Sequence, residues 1–157
     1  MQGIEFKSEY VQRIPAGMSV DALIRRLAQP LIADGQVVGD FADHVLAREK
    51  KFPTGLPTDP VGVAIPHTDH RYVRRNAFAI GILPEPVAFA DMGGEPDPVP
   101  VRVVFLLALS ESNKQLNVLG WIMDLIQDDG FMQKLFAMSN EQIHQAILDK
   151  LNERGEI

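Results

Sequence analysis

The sequence predicts an α/β fold, a three-layer α/β/α sandwich in which helices flank a mixed central β-sheet of about five strands. Apolar residues recur at helical spacing in the first third of the chain and again in the last third, whereas short apolar, β-prone runs fill the middle. The chain has 157 residues, without an internal repeat or a low-complexity linker. We therefore expect residues 1–157 to form a single domain.

The first part of the chain is predicted to hold a strand and a helix. Residues 4–14 alternate weakly between apolar and polar, which favours an opening strand. The helix follows Ser19, a good N-cap residue, and Gly35 is a natural residue to end it. Pro30 is expected to kink or shorten this helix. Its apolar face is formed by Val20, Leu23, Ile24, Leu27 and Leu31.

A second helix is predicted to begin near Asp40 and to end before Pro53. It carries Arg48 on its last turns, toward the loop that leads to His67. Its inward residues are Phe41, Val45 and Leu46.

The middle of the chain is sheet-like. Residues 77–83 are predicted to form a strand closed by Pro84, and residues 87–89 a short edge strand. Residues 101–109 are apolar throughout except for Arg102. Such a run is typical of a central strand that is buried on both faces.

Two capping boxes open helices in the last part of the chain. In each, a serine and a glutamine three residues later are placed to bond each other's backbone: Ser112 with Gln115, and Ser139 with Gln142. A short helix is predicted over 130–138, between them. The inward residues are Leu116, Leu119, Met123 and Ile126 in the first helix, and Ile143, Ile147 and Leu151 in the last.

The composition excludes several classes of function. A net charge of −6 argues against a nucleic-acid partner, because phosphate backbones select basic surfaces. No apolar run approaches the roughly 20 residues of a membrane helix, and the N-terminus lacks a signal-peptide pattern, so we expect no direct membrane insertion. Without cysteine there is no disulfide and no thiolate, and a reducing cytoplasm is the expected location.

The most informative position is His67. Residues 61–65 are a short apolar run typical of a buried strand, and Pro66 ends it because proline has no N–H to donate. His67 is then the first side chain past the strand, where ligand-binding groups tend to lie in open α/β sheets. An imidazole among donors and cations suits a phosphoryl group. The neighbouring hydroxyls and guanidiniums are Thr54, Thr58, Thr68, Arg48, Arg71, Arg74 and Arg75.

Neutral imidazole attacks phosphorus with one ring nitrogen when the other N–H is fixed by an acceptor. The other histidines offer less: His44 and His144 lie on predicted helices without polar company. A metal-dependent hydrolase built on His67, Asp69 and His70 is the weakest alternative, since no cysteine and no second histidine pair completes a ligand set. The nucleotide-binding loops and the nucleophile elbow are also missing from the sequence, so we expect neither a cofactor nor a metal.

Three motifs link the chain to a known family: R-E at 48–49, T-G at 54–55, and G-V-A-I-P-H at 62–67, followed by the strand, cap and helix over 101–119. With these the chain resembles the enzyme IIA components of the bacterial sugar phosphotransferase system, fructose/mannitol type, over nearly its whole length. The resemblance implies a phosphotransferase whose His67 accepts a phosphoryl group from the phosphocarrier HPr. It passes the group to a cognate IIB, and the sugar is phosphorylated later with the membrane component IIC.

The resemblance also implies roles for three other residues. Arg48 matches the arginine that stabilises the phosphoryl group, and it is equally placed as a favourable cation at a helix C-terminus. Thr54 is expected to bond His67 or the phosphoryl group, or to cap the turn. Gln115 stands where many members carry a second histidine. It can donate to a phosphoryl oxygen but cannot hold a positive charge, and the capping box explains it as well.

The branch and the biological role stay open between alternatives. The run F-P-T-G at 52–55, together with the missing second histidine, is similar to the galactitol-specific IIA proteins. The alternative is a IIA-like regulatory domain, related to the nitrogen-type IIA proteins, in which phosphorylation of His67 controls binding to other proteins. Arg71, Arg74 and Arg75 fit either a solvated face or the docking of an acidic partner.

Overall fold

Five β-strands form one mixed sheet in the structure, a computed structural model that describes residues 4–110 and 112–153. For residues 112–116 and 119 only the backbone is described. The strands are β1 Val11–Arg13, β2 Gly55–Leu56, β3 Gly62–Ala64, β4 Ala77–Phe89 and β5 Val99–Ala108. Their order across the sheet is β1-β4-β5-β3-β2. The pairs β1–β4 and β3–β5 are parallel, and β4–β5 and β2–β3 are antiparallel.

Helices cover both faces of the sheet. The α-helices are α1 Val20–Ala33, α2 Phe41–Lys51, α3 Ser112–Ile126, α4 Asp129–Lys134 and α5 Asn140–Glu153. In β4, Gly81 faces Leu27 of α1, while the Phe78 ring meets the edge of Trp121 of α3 at a centroid distance of 5.8 Å. Because residues 78 and 81 are an odd number of positions apart, these two contacts lie on opposite faces. The three-layer α/β/α prediction is confirmed.

The centre of the sheet is β5, as its apolar sequence, broken only by Arg102, predicted. From Val103 to Ala108 every side chain is buried, and β5 pairs with a strand on each side. Nearer its start, Arg102 is half-buried and Pro100 is exposed. The predicted third strand is also confirmed, because β3 lies within residues 61–65 and its residues are all buried.

The strand β4 is longer than predicted. It continues through Pro84 and Pro86, and residues 87–89 pair with β5 instead of forming a separate edge strand. The prediction that Pro84 closes the strand was therefore wrong. The pairing shifts between Ile82 and Val87, so both prolines lie in an irregular stretch where the missing N–H removes no ladder hydrogen bond.

Pro30 does not shorten α1, which runs on to Ala33. A proline N lacks the hydrogen that would bond the carbonyl four residues earlier, which here belongs to Arg26. The side-chain amide of Gln12 donates to that carbonyl at 3.1 Å and so satisfies it. The helix ends where predicted, with Gly35 in the left-handed region at φ 70°.

The helix starts agree with their capping signals where the structure describes them. Ser19 Oγ accepts from the Ala22 N–H at 3.1 Å. Ser139 and Gln142 form the reciprocal pair of a capping box, at 3.1 and 2.9 Å. The capping box predicted at 112–115 and the inward positions 116 and 119 lie outside the described side chains. The predicted short helix over 130–138 is present as α4 and the 3₁₀ turn Leu135–Ala137.

The length and the hydropathy of a helix decide whether it could cross a membrane. Across residues 4–110 and 112–153, none of the helices combines the length and the apolar character needed to cross a bilayer.

Candidate functional site

His67 lies three residues beyond the end of β3, at the end of the sheet where β5 also ends. The Leu107 N–H of β5 donates to the Pro66 carbonyl at 3.0 Å, so the backbone stays tied to β5 up to the residue before His67. Two glycines of the family motifs allow this close packing. A Cβ on Gly62 would collide with the Pro100 carbonyl oxygen, and a Cβ on Gly55 would lie 2.6 Å from that of Ala90. The imidazole itself is half-buried.

The ring nitrogens of His67 have different environments. Nδ1 lies 2.8 Å from the Ile65 carbonyl oxygen, and a carbonyl oxygen can only accept, so Nδ1 carries the hydrogen. Burial lowers the pKa of His67, the hydrogen bond to Ile65 opposes this, and the positive charge of Arg48 lowers it further. The ring is therefore neutral near pH 7, and Nε2 keeps an unshared electron pair.

A buried carboxylate, Glu49, supports the backbone that orients the imidazole of His67. It is 9% exposed, and it accepts from the Thr54 N–H and from the Thr54 hydroxyl, both at 2.8 Å. Burial raises the pKa of Glu49, and the two hydrogen bonds from Thr54 oppose the rise. The Thr54 oxygen in turn accepts from the Ile65 N–H at 3.2 Å. Glu49 and Thr54 thus fix the backbone of Ile65, the residue whose carbonyl orients the imidazole.

Thr54 takes a different place from the ones expected. Its side chain is buried, with 3% exposure, and its hydroxyl is committed to Glu49 and to Ile65. Among the described residues it forms no hydrogen bond with the imidazole. Its effect on His67 passes through the main chain.

Sequence reasoning missed the role of Glu49, although a signal for it was present. Ala42, Val45 and Leu46 form the buried stripe of α2, and Glu49 continues that stripe at helical spacing. A carboxylate at an inward helical position needs hydrogen-bond donors, and the Thr54 that follows the helix supplies them.

Arg48 lies on the last turn of α2 with its side chain exposed. Its guanidinium carbon sits 5.1 Å from the centroid of the Phe52 ring, a cation–π contact. Together with Lys51 and Arg71, it lines a depression of about 270 Å³ that also includes Thr68, the residue after His67. We call this depression the cationic cleft. Asp69 also lines it, and Arg48 is near enough for its positive charge to lower the pKa of His67.

The remaining charged residues of this region are partly paired. The Asp69 carboxylate lies 3.3 Å from His70 Nδ1 and 3.9 Å from the Arg71 guanidinium. Arg74 is exposed, and Arg75 donates to the carbonyl of Asp34 at the end of α1, so it is occupied elsewhere. Within the residues that the structure describes, no three His, Asp or Glu side chains come together in a way that would hold a metal ion.

The sequence analysis also singled out His44, His144 and Gln115. The expectation that His44 and His144 lack polar company was wrong. His44 Nε2 lies 3.0 Å from an Asp40 oxygen and its ring stacks on Tyr72, and His144 Nε2 lies 2.8 Å from the Phe6 carbonyl oxygen. The side chain of Gln115 lies outside the described residues.

Comparison with known proteins points to one family. Residues 5–150 match the family "Phosphoenolpyruvate-dependent sugar phosphotransferase system, EIIA 2". The transcriptional regulator ManR of Bacillus subtilis is 31% identical over 129 residues, which is 81% of this chain and 18% of ManR. The galactitol-specific EIIA component of Escherichia coli K12 is 23% identical over 123 residues, 78% of this chain and 81% of that protein.

A solved structure shares the fold. It is the complex of enzyme IIAMTL with phosphorylated enzyme IIBMTL from Escherichia coli, with a TM-score of 0.65, 23% identity, and coverage of 83% of this chain and 89% of the other. At that identity the likeness concerns the fold alone. The match over residues 5–150 covers most of the chain. The chain therefore belongs to the EIIA 2 family of the phosphoenolpyruvate-dependent sugar phosphotransferase system.

Proposed function

We propose that His67 is the phosphoryl acceptor and that its Nε2 is the reacting atom. The observation that carries this proposal is the hydrogen bond from Nδ1 to the Ile65 carbonyl, which leaves a neutral Nε2 with its electron pair unshared. Nε2 forms a bond to phosphorus as the bond between phosphorus and HPr breaks, and unphosphorylated HPr leaves. The Nδ1 hydrogen stays on the ring, so the phosphorylated imidazole is cationic and the Ile65 oxygen stabilises it.

Arg48 is the residue we assign to stabilising the phosphoryl group. Phosphoryl transfer spreads negative charge over the three equatorial oxygens, and positioning plus electrostatic support provide most of the catalysis. Arg48 is close enough for its charge to lower the pKa of His67, and it forms no ion pair within the described residues. A guanidinium in that position attracts the incoming phosphoryl group and stabilises the transition state of its transfer.

The test is phosphorylation by the upstream components. Incubation with phosphoenolpyruvate, enzyme I and HPr should add one acid-labile phosphate, and His67→Ala should abolish it. His44→Ala and His70→Ala are the matched controls and should keep the label. Normal labelling of His67→Ala would contradict the proposal.

We propose further that a cognate IIB discharges the phosphorylated protein in the cytoplasm, with the sugar phosphorylated afterwards at the IIC stage. The 23% identity to a galactitol-specific EIIA component over most of both chains favours the galactitol branch, as does Gln115 in place of a second histidine. The cationic cleft, with Arg71 on its rim, would dock an acidic face of a partner. Discharge rates with purified IIB proteins of the galactitol and mannitol types would distinguish the branches.

A second function, regulation, is favoured by a separate observation. The identity to the transcriptional regulator ManR is 31%, higher than to the galactitol component. This chain spans only 18% of ManR, so a domain of this kind occurs within a much longer regulator. In that role residues 1–157 act as one domain whose His67 phosphorylation controls binding. Failure of every IIB to accept the phosphate, with normal loading by HPr, would favour regulation over uptake.

A further inference from the structure

A second cluster of arginines lies at the opposite end of the sheet from His67. Arg13 ends β1 and Arg102 lies near the start of β5, and both line a cleft of about 480 Å³. Arg102 is five residues before Leu107, which pairs beside His67, a separation of about 17 Å along a strand. The cleft is therefore remote from the phosphoryl-transfer site, and nothing in the proposed function uses it. We call it the distal cleft.

The walls of the distal cleft are mainly apolar. Ile14 and Ile82 form its floor, with 1% and 2% exposure, and Phe136 forms one side. Prolines 15 and 84 complete the lining, so it contains no Asp or Glu side chain within the described residues. On a chain whose net charge is −6, two guanidiniums converging without a carboxylate depart from the overall pattern.

Both guanidiniums are held in place by contacts with the protein. Arg102 donates from Nε to the Leu83 carbonyl and from Nη2 to the Pro84 carbonyl, each at 3.1 Å, and its guanidinium carbon lies 4.1 Å from the centroid of the Phe136 ring. Arg13 donates from Nη2 to the carbonyl of Met138. A guanidinium has five N–H donors, so most of the donors are left over for the cleft.

Arg102 has a structural function that does not account for the cleft. The irregular pairing after Ile82 leaves the Leu83 and Pro84 carbonyls in a stretch outside the β4–β5 register, and Arg102 supplies their donors. That explains a charge in an otherwise apolar strand. It does not explain why Arg13, from another strand, lines the same largely apolar cleft.

We infer that the distal cleft binds a small organic oxyanion, a carboxylate or phosphate ester that carries an apolar group. Its volume falls within the roughly 300–1,000 Å³ of small-molecule sites, which combine apolar walls with a few fixed polar groups. The planar fork of arginine matches the oxygens of carboxylate and phosphate, and anchoring by carbonyls reduces the entropy lost on binding. Ile14, Ile82 and Phe136 would cover the apolar part.

The test is an NMR titration of the full chain with three probes: phenyl phosphate, benzoate and inorganic phosphate. We expect saturable shifts of the Ile14 and Ile82 amides with the two aromatic probes and weaker binding of inorganic phosphate. Arg13→Met and Arg102→Met keep the apolar stem and remove the charge, and each should weaken binding at least tenfold. The matched control is Arg25→Met, since Arg25 is exposed on α1, where it pairs with Asp43, and does not line the distal cleft; this variant should bind as the unaltered protein does.

Three results would overturn the inference: no saturable shift at Ile14 and Ile82, unchanged affinity in Arg13→Met, or inorganic phosphate binding as tightly as phenyl phosphate. If Arg102→Met fails to fold because Leu83 and Pro84 lose their donors, Arg13→Met decides the question alone. His67→Ala should retain the binding. The inference about the distal cleft can therefore be tested independently of the phosphoryl-transfer proposal.

Discussion

The two ends of the sheet use arginine in different ways. At the His67 end, Arg48 makes a cation–π contact with the Phe52 ring and forms no hydrogen bond within the described residues, while the nearby imidazole is fixed by the Ile65 carbonyl. At the distal end, Arg13 and Arg102 are themselves tied to carbonyls.

This difference in how the arginines are held indicates which group must be fixed in each site. A nucleophile must be oriented before reaction, whereas a cation beside it has to follow a phosphoryl group as it arrives and leaves. A site that only binds gains most when its cations are already in place. Four predictions test this contrast, from the largest expected effect to the smallest.

Replacing Glu49 should have the largest effect on folding. Glu49→Leu leaves the Thr54 N–H and hydroxyl without their buried acceptor, so we expect a loss of about 3 kcal/mol in the free energy of unfolding. Glu49→Gln keeps the shape and should lose less, while slowing phosphorylation of His67. Urea denaturation measures the first effect. Glu85→Leu, at an exposed position, is the control and should change stability by less than about 0.5 kcal/mol; an equally small change in Glu49→Leu would refute the role of Glu49.

Arg48→Ala should fold normally and slow phosphoryl transfer by tenfold or more, which is roughly 1.4 kcal/mol of barrier. The physical reason is the loss of the charge that faces the transferring oxygens. Rapid-quench labelling with phospho-HPr measures the rate. Lys50→Ala provides a matched control, because Lys50 is on the same helix but outside the cationic cleft. Equal rates for Arg48→Ala and Lys50→Ala would remove Arg48 from the site.

The pH dependence tests the environment of His67. Because burial lowers the pKa of His67 below its ordinary value of about 6.5, its readiness to accept phosphate should persist as the pH falls to 6.5 and decline only below it. The unfolded chain takes up the proton first, so the contribution of His67 to stability is lost as the pH falls from 6.5 through the folded pKa, and above 6.5 it is constant. An NMR titration of the imidazole measures the pKa of His67 in the folded protein. A midpoint at or above 6.5 would contradict the assigned environment.

The smallest effect is expected from the distal end. Arg13→Met should leave the rate of His67 phosphorylation within about twofold of the original, because the distal cleft is some 17 Å away along the strands. The same labelling assay measures it. A tenfold loss of rate would show that the two ends of the sheet are coupled, and would contradict the independence of the distal cleft from the His67 site.

The sequence predicted those parts of the fold that depend on local patterns. Helical spacing located α1, α2 and α5, and continuous apolar runs located β3 and β5, because each pattern reflects burial of one element. The continuity of β4 could not be predicted in this way. Pro84 and Pro86 break a strand locally, and only pairing with β5 on both sides of the irregular stretch keeps it whole.

The candidate site was predicted in part. The position of His67 beyond a strand was predicted from the sequence and is confirmed, whereas the roles of His67 and Arg48 stay predictions. The chain of hydrogen bonds from Glu49 through Thr54 to Ile65 was not predicted. The inward helical spacing of Glu49 was a signal for its burial, but the partners of a buried carboxylate depend on how the helix end, the loop and the strand pack together. That Arg13 and Arg102 line one cleft could not be predicted either, since they are far apart in the chain and the strand order brings them to the same end of the sheet.

The most direct test of the central claim is the position of the phosphate on the ring. Histidine labelled with ¹⁵N, in protein phosphorylated by phospho-HPr, reports which nitrogen is bonded to phosphorus. We predict phosphorus on Nε2 of His67, with the hydrogen retained on Nδ1 and bonded to the Ile65 carbonyl. Phosphorus on Nδ1, or on any residue other than His67, would contradict the account.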